Sequence, residues 1–171
     1  MFASLKIQNH LRLKFAVATV CLIPFVSASL AATTTSTFTT QVTLTASCTI
    51  NSASTLNFGS QGVLIAAVNQ SSTVQVQCTN TTPYNIGLDA GAGTGAAVAV
   101  RKMTSGANTV NYSLYSDSGH ATVWGNTVGT DTVAATGSGA SQSYTVYGQV
   151  PAQTTPAPGT YTDTITVTVT Y

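Results

Sequence analysis

Apolar and polar residues alternate with a period of two along much of this chain, the signature of half-buried β-strands. From Phe38 to Ile50, Phe38, Val42, Leu44, Ala46, Cys48 and Ile50 share one parity; Thr39, Gln41, Thr43, Thr45, Ser47 and Thr49 share the other. Those 13 residues would span about 43 Å when extended, more than twice a typical strand. The segment is therefore expected to have two roles. A C-terminal part carrying Cys48 joins the domain, and an N-terminal part from Phe38 to Ala46 extends beyond it. Short strand pieces are predicted at Leu56–Gly59 and Gly62–Ala67, and clearer ones at Ser72–Cys78, at Tyr84, Ile86 and Leu88, and at Val110, Tyr112 and Leu114. Val98–Met103 reads as extended, Val123 and Trp124 follow the turn Asp117-Ser118-Gly119, and Tyr144, Val146 and Val150 mark a further strand broken by Gly148.

After the turn signal Pro158-Gly159, the last stretch places Tyr161, Ile165, Val167, Val169 and Tyr171 on one face, with threonines opposite and Asp163 breaking the apolar row. This predicts a terminal strand from Tyr161 to Tyr171 that needs a neighbour on each side. Eight or nine short strands separated by turn signals, with no helical period and no internal repeat, predict an all-β antiparallel sandwich of immunoglobulin-like type.

The start of the chain reads differently. Lys6, Arg12 and Lys14 precede an apolar run from Phe15 to Val26, and Ser29-Leu30-Ala31 supplies small residues for cleavage. That is the pattern of a secretory signal peptide over residues 1–31, and the apolar run is shorter than the ~20 residues of a membrane-spanning helix. Residues 32–46 are then expected to form an extension and 47–171 one β-domain. Beyond residue 31, Arg101 and Lys102 face Asp89, Asp117, Asp131 and Asp163, a formal charge of 2 − 4 = −2 with no glutamate. So few cations cannot make the phosphate contacts of a nucleic-acid binder. Apolar content is also too high for a disordered chain. Cys48 and Cys78 remain as a pair in an exported protein, so a disulfide is the default. It would close a loop of about 31 residues, stabilising the fold by roughly 3.5 to 4 kcal/mol. Free thiols or a metal site are the alternatives, with His120 the only other soft ligand.

Catalytic arrangements are poorly supported. Asp117, Ser118 and His120 supply the residue types of an acyl-transfer triad but crowd into one turn. The four aspartates sit on separate loops, and Gly91-x-Gly93-x-Gly95 lacks both phosphate-loop spacing and a following helix. Neither an enzyme nor a cofactor is expected. Trp124 with Tyr112, Tyr115 and Tyr147 could line a sugar site, though aromatics at strand parity usually belong to the core. A long alternating extension ahead of a domain that ends on a sheet strand suits strand addition, in which backbone bonds supply affinity and alternate side chains supply register.

In order, Cys48, Asn57-Phe58-Gly59, Val74-Gln75-Val76-Gln77-Cys78, Pro83-Tyr84, Tyr112-Ser113-Leu114-Tyr115, Trp124-Gly125, Tyr147-Gly148-Gln149-Val150-Pro151 and Gly159-Thr160-Tyr161-Thr162-Asp163-Thr164 resemble the spore coat protein U domain family. That family includes subunits of archaic, Csu-type chaperone-usher pili. The most specific piece is G-T-Y-x-D followed by an alternating strand. The resemblance implies an incomplete immunoglobulin-like sandwich, held by a Cys48–Cys78 disulfide and completed by a donor strand. A periplasmic chaperone would lend a strand first, and an outer-membrane usher would exchange it for the extension of the next subunit. On this chain the donor strand would be Phe38, Thr40, Val42, Leu44 and Ala46, and the acceptor edge Tyr161, Ile165, Val167, Val169 and Tyr171. The expected function is a structural subunit of a surface pilus for adhesion and biofilm, partnered by neighbouring subunits, chaperone and usher. The alternative is a monomeric secreted β-sandwich that binds glycans or serves as a coat module, with its N-terminal strand folded into its own groove.

Overall fold

A computed structural model of the protein describes residues 30–171. The basic and apolar stretch assigned to a signal peptide lies outside the described residues, except for its last two positions. Two compact units divide between Gln41 and Val42. In the first, residues 30–41 carry no regular secondary structure. The second, Val42–Tyr171, holds eight strands: β1 Cys48–Ala53, β2 Val68–Cys78, β3 Pro83–Leu88, β4 Arg101–Ser105, β5 Asn108–Tyr115, β6 Val133–Thr136, β7 Ser141–Val150 and β8 Val167–Thr170.

They form two antiparallel sheets, one in the order β1-β2-β7-β5-β4 and the other β6-β3-β8. This is the all-β sandwich that the alternation predicts. Its core is built from the expected rows: Val74, Val76 and Cys78 on β2, Tyr84, Ile86 and Leu88 on β3, Val110, Tyr112 and Leu114 on β5, and Val146 and Val150 on β7. Cys48 and Cys78 sit opposite one another in the β1–β2 ladder and are joined by a disulfide, as expected for the pair.

Four local expectations need correction. Residues 54–67 form no strand, because Asn57 Oδ1 accepts the Gly59 N–H at 2.8 Å and Gly59 turns the chain at φ 71°. Leu56 and Phe58 instead pack onto β7 at Gly148, where a Cβ would collide with both side chains. The glycine that interrupts the β7 row is thus a docking position. Val98–Met103 does not run straight, since Ala97 and Val100 exchange both backbone hydrogen bonds at 3.0 Å and β4 begins only at Arg101. β6 was not anticipated, because Val133-Ala134-Ala135-Thr136 offers almost no apolar contrast between its two faces. Finally, the terminal strand is four residues, Val167–Thr170, not the eleven from Tyr161 to Tyr171.

The side chain that ties the loops of this sandwich together is cationic. Arg101 is fully buried, and its guanidinium donates to four main-chain carbonyls: Asp89 O (2.7 Å), Val98 O (2.8 Å), Leu88 O (3.0 Å) and Trp124 O (2.7 Å). A planar, always-charged fork suits several acceptors held at fixed angles. Those acceptors belong to the end of β3, the turn before β4 and the segment of Trp124. Trp124 is itself buried, and its indole N–H donates to Ile86 O at 2.8 Å.

Replacing Arg101 with methionine strands these carbonyls in an apolar interior. Since bonds to charged groups are each worth about 1.5–3 kcal/mol, the Arg101→Met substitution should lower unfolding stability by at least about 3 kcal/mol in urea titration. A loss within about 0.5 kcal/mol, as for an ordinary surface change, would mean the cluster is not structural.

Candidate functional site

β8 pairs with β3 in the register Leu88↔Val167 to Asn85↔Thr170, and among the described residues no strand pairs with its other side. β1 pairs with β2 and likewise leaves its outer side free. The two free edges belong to different sheets and run close together, so the sandwich is open along one seam. Side-chain burial follows the seam. Tyr84, Ile86 and Leu88 on β3 are 1% exposed or less, whereas Ile165, Val167 and Val169 beside them are only partly buried. On β1, Ile50 remains 39% exposed. Tyr171, at the end of the row, is 60% exposed.

Tyr161 is placed apart from this seam. The residue after it, Thr162, bridges to Thr104 of β4 in the larger sheet, with Thr104 N donating to Thr162 O at 2.9 Å and Thr162 N to Thr104 O at 3.1 Å. The segment then crosses to the smaller sheet to become β8. Asp163 makes the crossing: its carboxylate accepts from Ala92 N (2.8 Å), Thr164 N (2.8 Å) and the Tyr112 hydroxyl (2.7 Å). Burial and the bond to Asp163 together push the Tyr112 hydroxyl well above the ordinary phenol range, so it stays protonated and donating. Gly91, at φ 79°, must lack a side chain because a Cβ would strike the Asp163 carboxylate. The Tyr161 hydroxyl donates to Ala157 O at 2.6 Å, and a Cβ on Gly159 would press on Ser105 Oγ. The G-T-Y-x-D motif is therefore the hinge that carries the chain between sheets, and the aspartate that interrupts the apolar row is what ends one pairing and begins the other.

Asp89 completes the entry to β8. Its Oδ1 accepts from Thr166 N (2.9 Å) and Gly91 N (3.0 Å), while its own N–H donates to Thr166 O at 3.2 Å. Burial alone would raise this carboxyl, but the amides of Thr166 and Gly91 and the charge of Arg101 hold it below the ordinary aspartate value. Neither Asp89 nor Arg101 was singled out by the sequence. The one available signal was that Arg101 is among only two cations after residue 31.

The extension ahead of β1 has no secondary structure. Its alternate apolar side chains face solvent: Phe38 is 87% exposed in the first unit, and Val42 and Leu44 are 80% and 84% exposed in the second. Thr40 and Ala46 are exposed as well. In the second unit, then, Val42, Leu44 and Ala46 do not fill the seam of their own domain.

The remaining candidate chemistry is structural in its geometry. The Asp117 carboxylate accepts from Ala121 N and Thr122 N (2.6 Å to the latter), which holds it below the ordinary range and closes the turn. The His120 ring packs edge-on to Tyr115 and Tyr147, with centroids at 5.2 and 6.4 Å. Trp124 and Tyr112 are core residues, which removes two of the four aromatics from any sugar-stacking face.

Comparison with known proteins gives the family and the fold. The profile of the Spore Coat Protein U domain matches residues 34–168. The chain belongs to that family. It is 37% identical over 107 residues to Protein U of Myxococcus xanthus, spanning 59% of this chain and 59% of that relative. A solved chain from the chaperone–tip adhesion subunit pre-assembly complex of archaic chaperone-usher Csu pili of Acinetobacter baumannii matches 75% of this chain at a TM-score of 0.56. The identity is 23%, and the match spans 41% of that solved chain. At that identity the likeness is one of fold.

The lowered carboxyl of Asp89 gives a signed pH dependence. A group held below its unfolded value of about 3.9 contributes stability that is fully present above that pH and is lost as pH falls through the lower folded value. Asp89→Asn should reduce the urea midpoint at pH 7 and flatten the decline between pH 5 and pH 2 relative to wild type. Parallel pH profiles for the two proteins would show that the carboxylate does not hold β8.

Proposed function

We propose that this chain is a structural subunit of a surface fibre built by donor-strand exchange, exported through the periplasm and used for adhesion and biofilm formation. One observation carries the reading. β8 and β1 are edge strands that meet at one seam without pairing to each other, and the chain presents an alternating segment whose Val42 and Leu44 are exposed. A strand seated beside β8 would pair its free backbone groups and cover Ile165, Val167 and Val169; an extension with apolar residues at every second position has the right period to do so. Residues 32–46 of one copy then complete residues 47–171 of the next, with Phe38, Thr40, Val42, Leu44 and Ala46 facing the groove. Tyr171 lies at one end of that groove, while Tyr161, next to the Thr162 that bridges to β4, contributes to its hinge and not to its edge.

Family membership supports this reading, as does the fold shared with a component of a chaperone–subunit complex from chaperone-usher pili. By the same logic the subunit's partners are a periplasmic chaperone that occupies the groove temporarily, an outer-membrane usher and neighbouring subunits. An open groove exposes apolar surface until it is filled, so the subunit made alone should aggregate.

The test is the mass of unboiled samples in SDS. Co-produced with a donor-strand chaperone, the exported protein should give a ladder of noncovalent oligomers that collapses on heating. Val42→Asp or Leu44→Asp should abolish the ladder, because a carboxylate in an apolar groove costs several kcal/mol. A soluble monomer indifferent to the chaperone and to both substitutions would refute strand exchange.

A further inference from the structure

Two features at opposite ends of the sandwich lie outside the groove. At one end β2 begins at Val68, opposite Val150, the last residue of β7. The loop ahead of it carries Val63 and Ile65 at 74% and 84% exposure. Leu64 between them is buried and doubly anchored: its N–H donates to Thr155 Oγ1 at 2.8 Å, and its carbonyl accepts from Gln153 N at 2.9 Å. Ile65 N also donates to Val63 O at 2.9 Å. That bond closes a three-residue turn centred on Leu64; with the Leu64 side chain fixed inward, those of Val63 and Ile65 on either side stay in solvent. Two large apolar side chains are thus presented to solvent on a braced loop, a costly arrangement unless something covers them.

At the other end β1 begins at Cys48 and β2 ends at Cys78. The turn that follows is tied to the root of the extension, with Thr79 N donating to Ser47 O at 2.9 Å and Ser47 N to Thr79 Oγ1 at 3.1 Å. Within that turn Thr81 adopts φ 63°, a left-handed conformation that β-branched residues avoid. The surface around Ser47, Thr79, Asn80 and Thr81 is uncharged, as is the loop from Gly59 to Ala67.

Strand direction decides which ends meet. β8 runs from the Val63 end towards the Cys48 end, since Val167 lies opposite Leu88 and Thr170 opposite Asn85. The extension leaves its own domain at the Cys48 end. A donor lying parallel to β8 would bring two Cys48 ends together, and both extensions would then point into one closed pair. A donor antiparallel to β8 sets the Cys48 end of one copy against the Val63 end of the next, a head-to-tail contact that repeats without closing.

We propose that Val63 and Ile65 of each accepting subunit dock on the corner formed by Ser47 and the Thr79–Thr82 turn of the subunit that donates its strand. The partner is a second copy of this chain, and the contact is additional to the groove. It rests on the strand-exchange reading above, so the experiment separates the two.

Full-length chains carrying Ile65→Cys and Asn80→Cys are co-produced and exported with a donor-strand chaperone, then oxidised. Wild-type oligomers should disperse on boiling, whereas the mixed sample should retain a covalent dimer that a reducing agent dissolves. Val63→Asn/Ile65→Asn should still form SDS-resistant oligomers, but these should fall to monomers at a lower temperature than wild type. Oligomers with no Ile65→Cys to Asn80→Cys link, a link formed equally well by Ile65→Cys alone, or an unchanged dissociation temperature would each overturn the docking contact and leave strand exchange standing. Absence of oligomers from wild type itself would overturn both.

Discussion

The outward backbone groups of an edge strand need a partner, and among the described residues the edges of β8 and β1 meet at one seam of this sandwich without pairing to each other. Among the described residues β8 is bonded on the β3 side alone, while its inward side chains, Val167 and Val169, are only half-covered. A strand in that position is stable only when its neighbours hold it from elsewhere, and much of the remaining structure does so. Asp89 fixes the main chain at Thr166, Asp163 anchors the crossing from the larger sheet, and Arg101 binds the end of β3, against which β8 lies. Asp89, Arg101 and Asp163, three of the six charged residues after residue 31, gather around the entry to β8. An edge held in place without a partner is pre-organised for one, which lowers the ordering cost of strand addition.

The same arrangement explains why the domain tolerates a buried cation. A guanidinium placed among carbonyl oxygens has its donors satisfied by dipoles, and the charges of Asp89, Asp163 and Asp131 nearby favour its charged form. Its acceptors come from the end of β3, the turn just before β4 and the segment of Trp124, and a single side chain therefore ties these segments together. Asp89 and Asp163 contribute in the complementary sense, accepting main-chain N–H groups where ladders stop. Such exchanges between side chain and backbone are how short strands end without stranding polar groups.

Much of this fold was legible because alternation reports burial directly. The rows on β2, β3, β5 and β7 were read from parity, and the cysteine pair from its even count in an exported chain. What escaped were features with no periodic trace. β6 is almost all small residues, the 54–67 segment looked extended but is governed by an Asx turn and by packing on Gly148, and the terminal row spans two pairings joined at Asp163. For the candidate site, the half-covered row and the exposed extension follow from the sequence pattern, whereas the absence of a neighbour for β8 is a property of topology. Arg101 owes its importance to carbonyls on three other segments and Asp89 to the main chain at Thr166, pairings that leave no periodic trace in the sequence.

The position of the disulfide has a mechanical consequence. Cys48 is the first residue of β1, so any tension applied through the extension enters the domain there. β1 is an edge strand with a register shift between Ile50 and Ser52, and hydrogen bonds alone would let it peel from β2 one rung at a time. The bond to Cys78 delivers the load at once to β2, whose long ladder with β7 lies in the middle of the larger sheet. Pulled along its extension, the domain is gripped by its interior, and the weakest strand is bypassed.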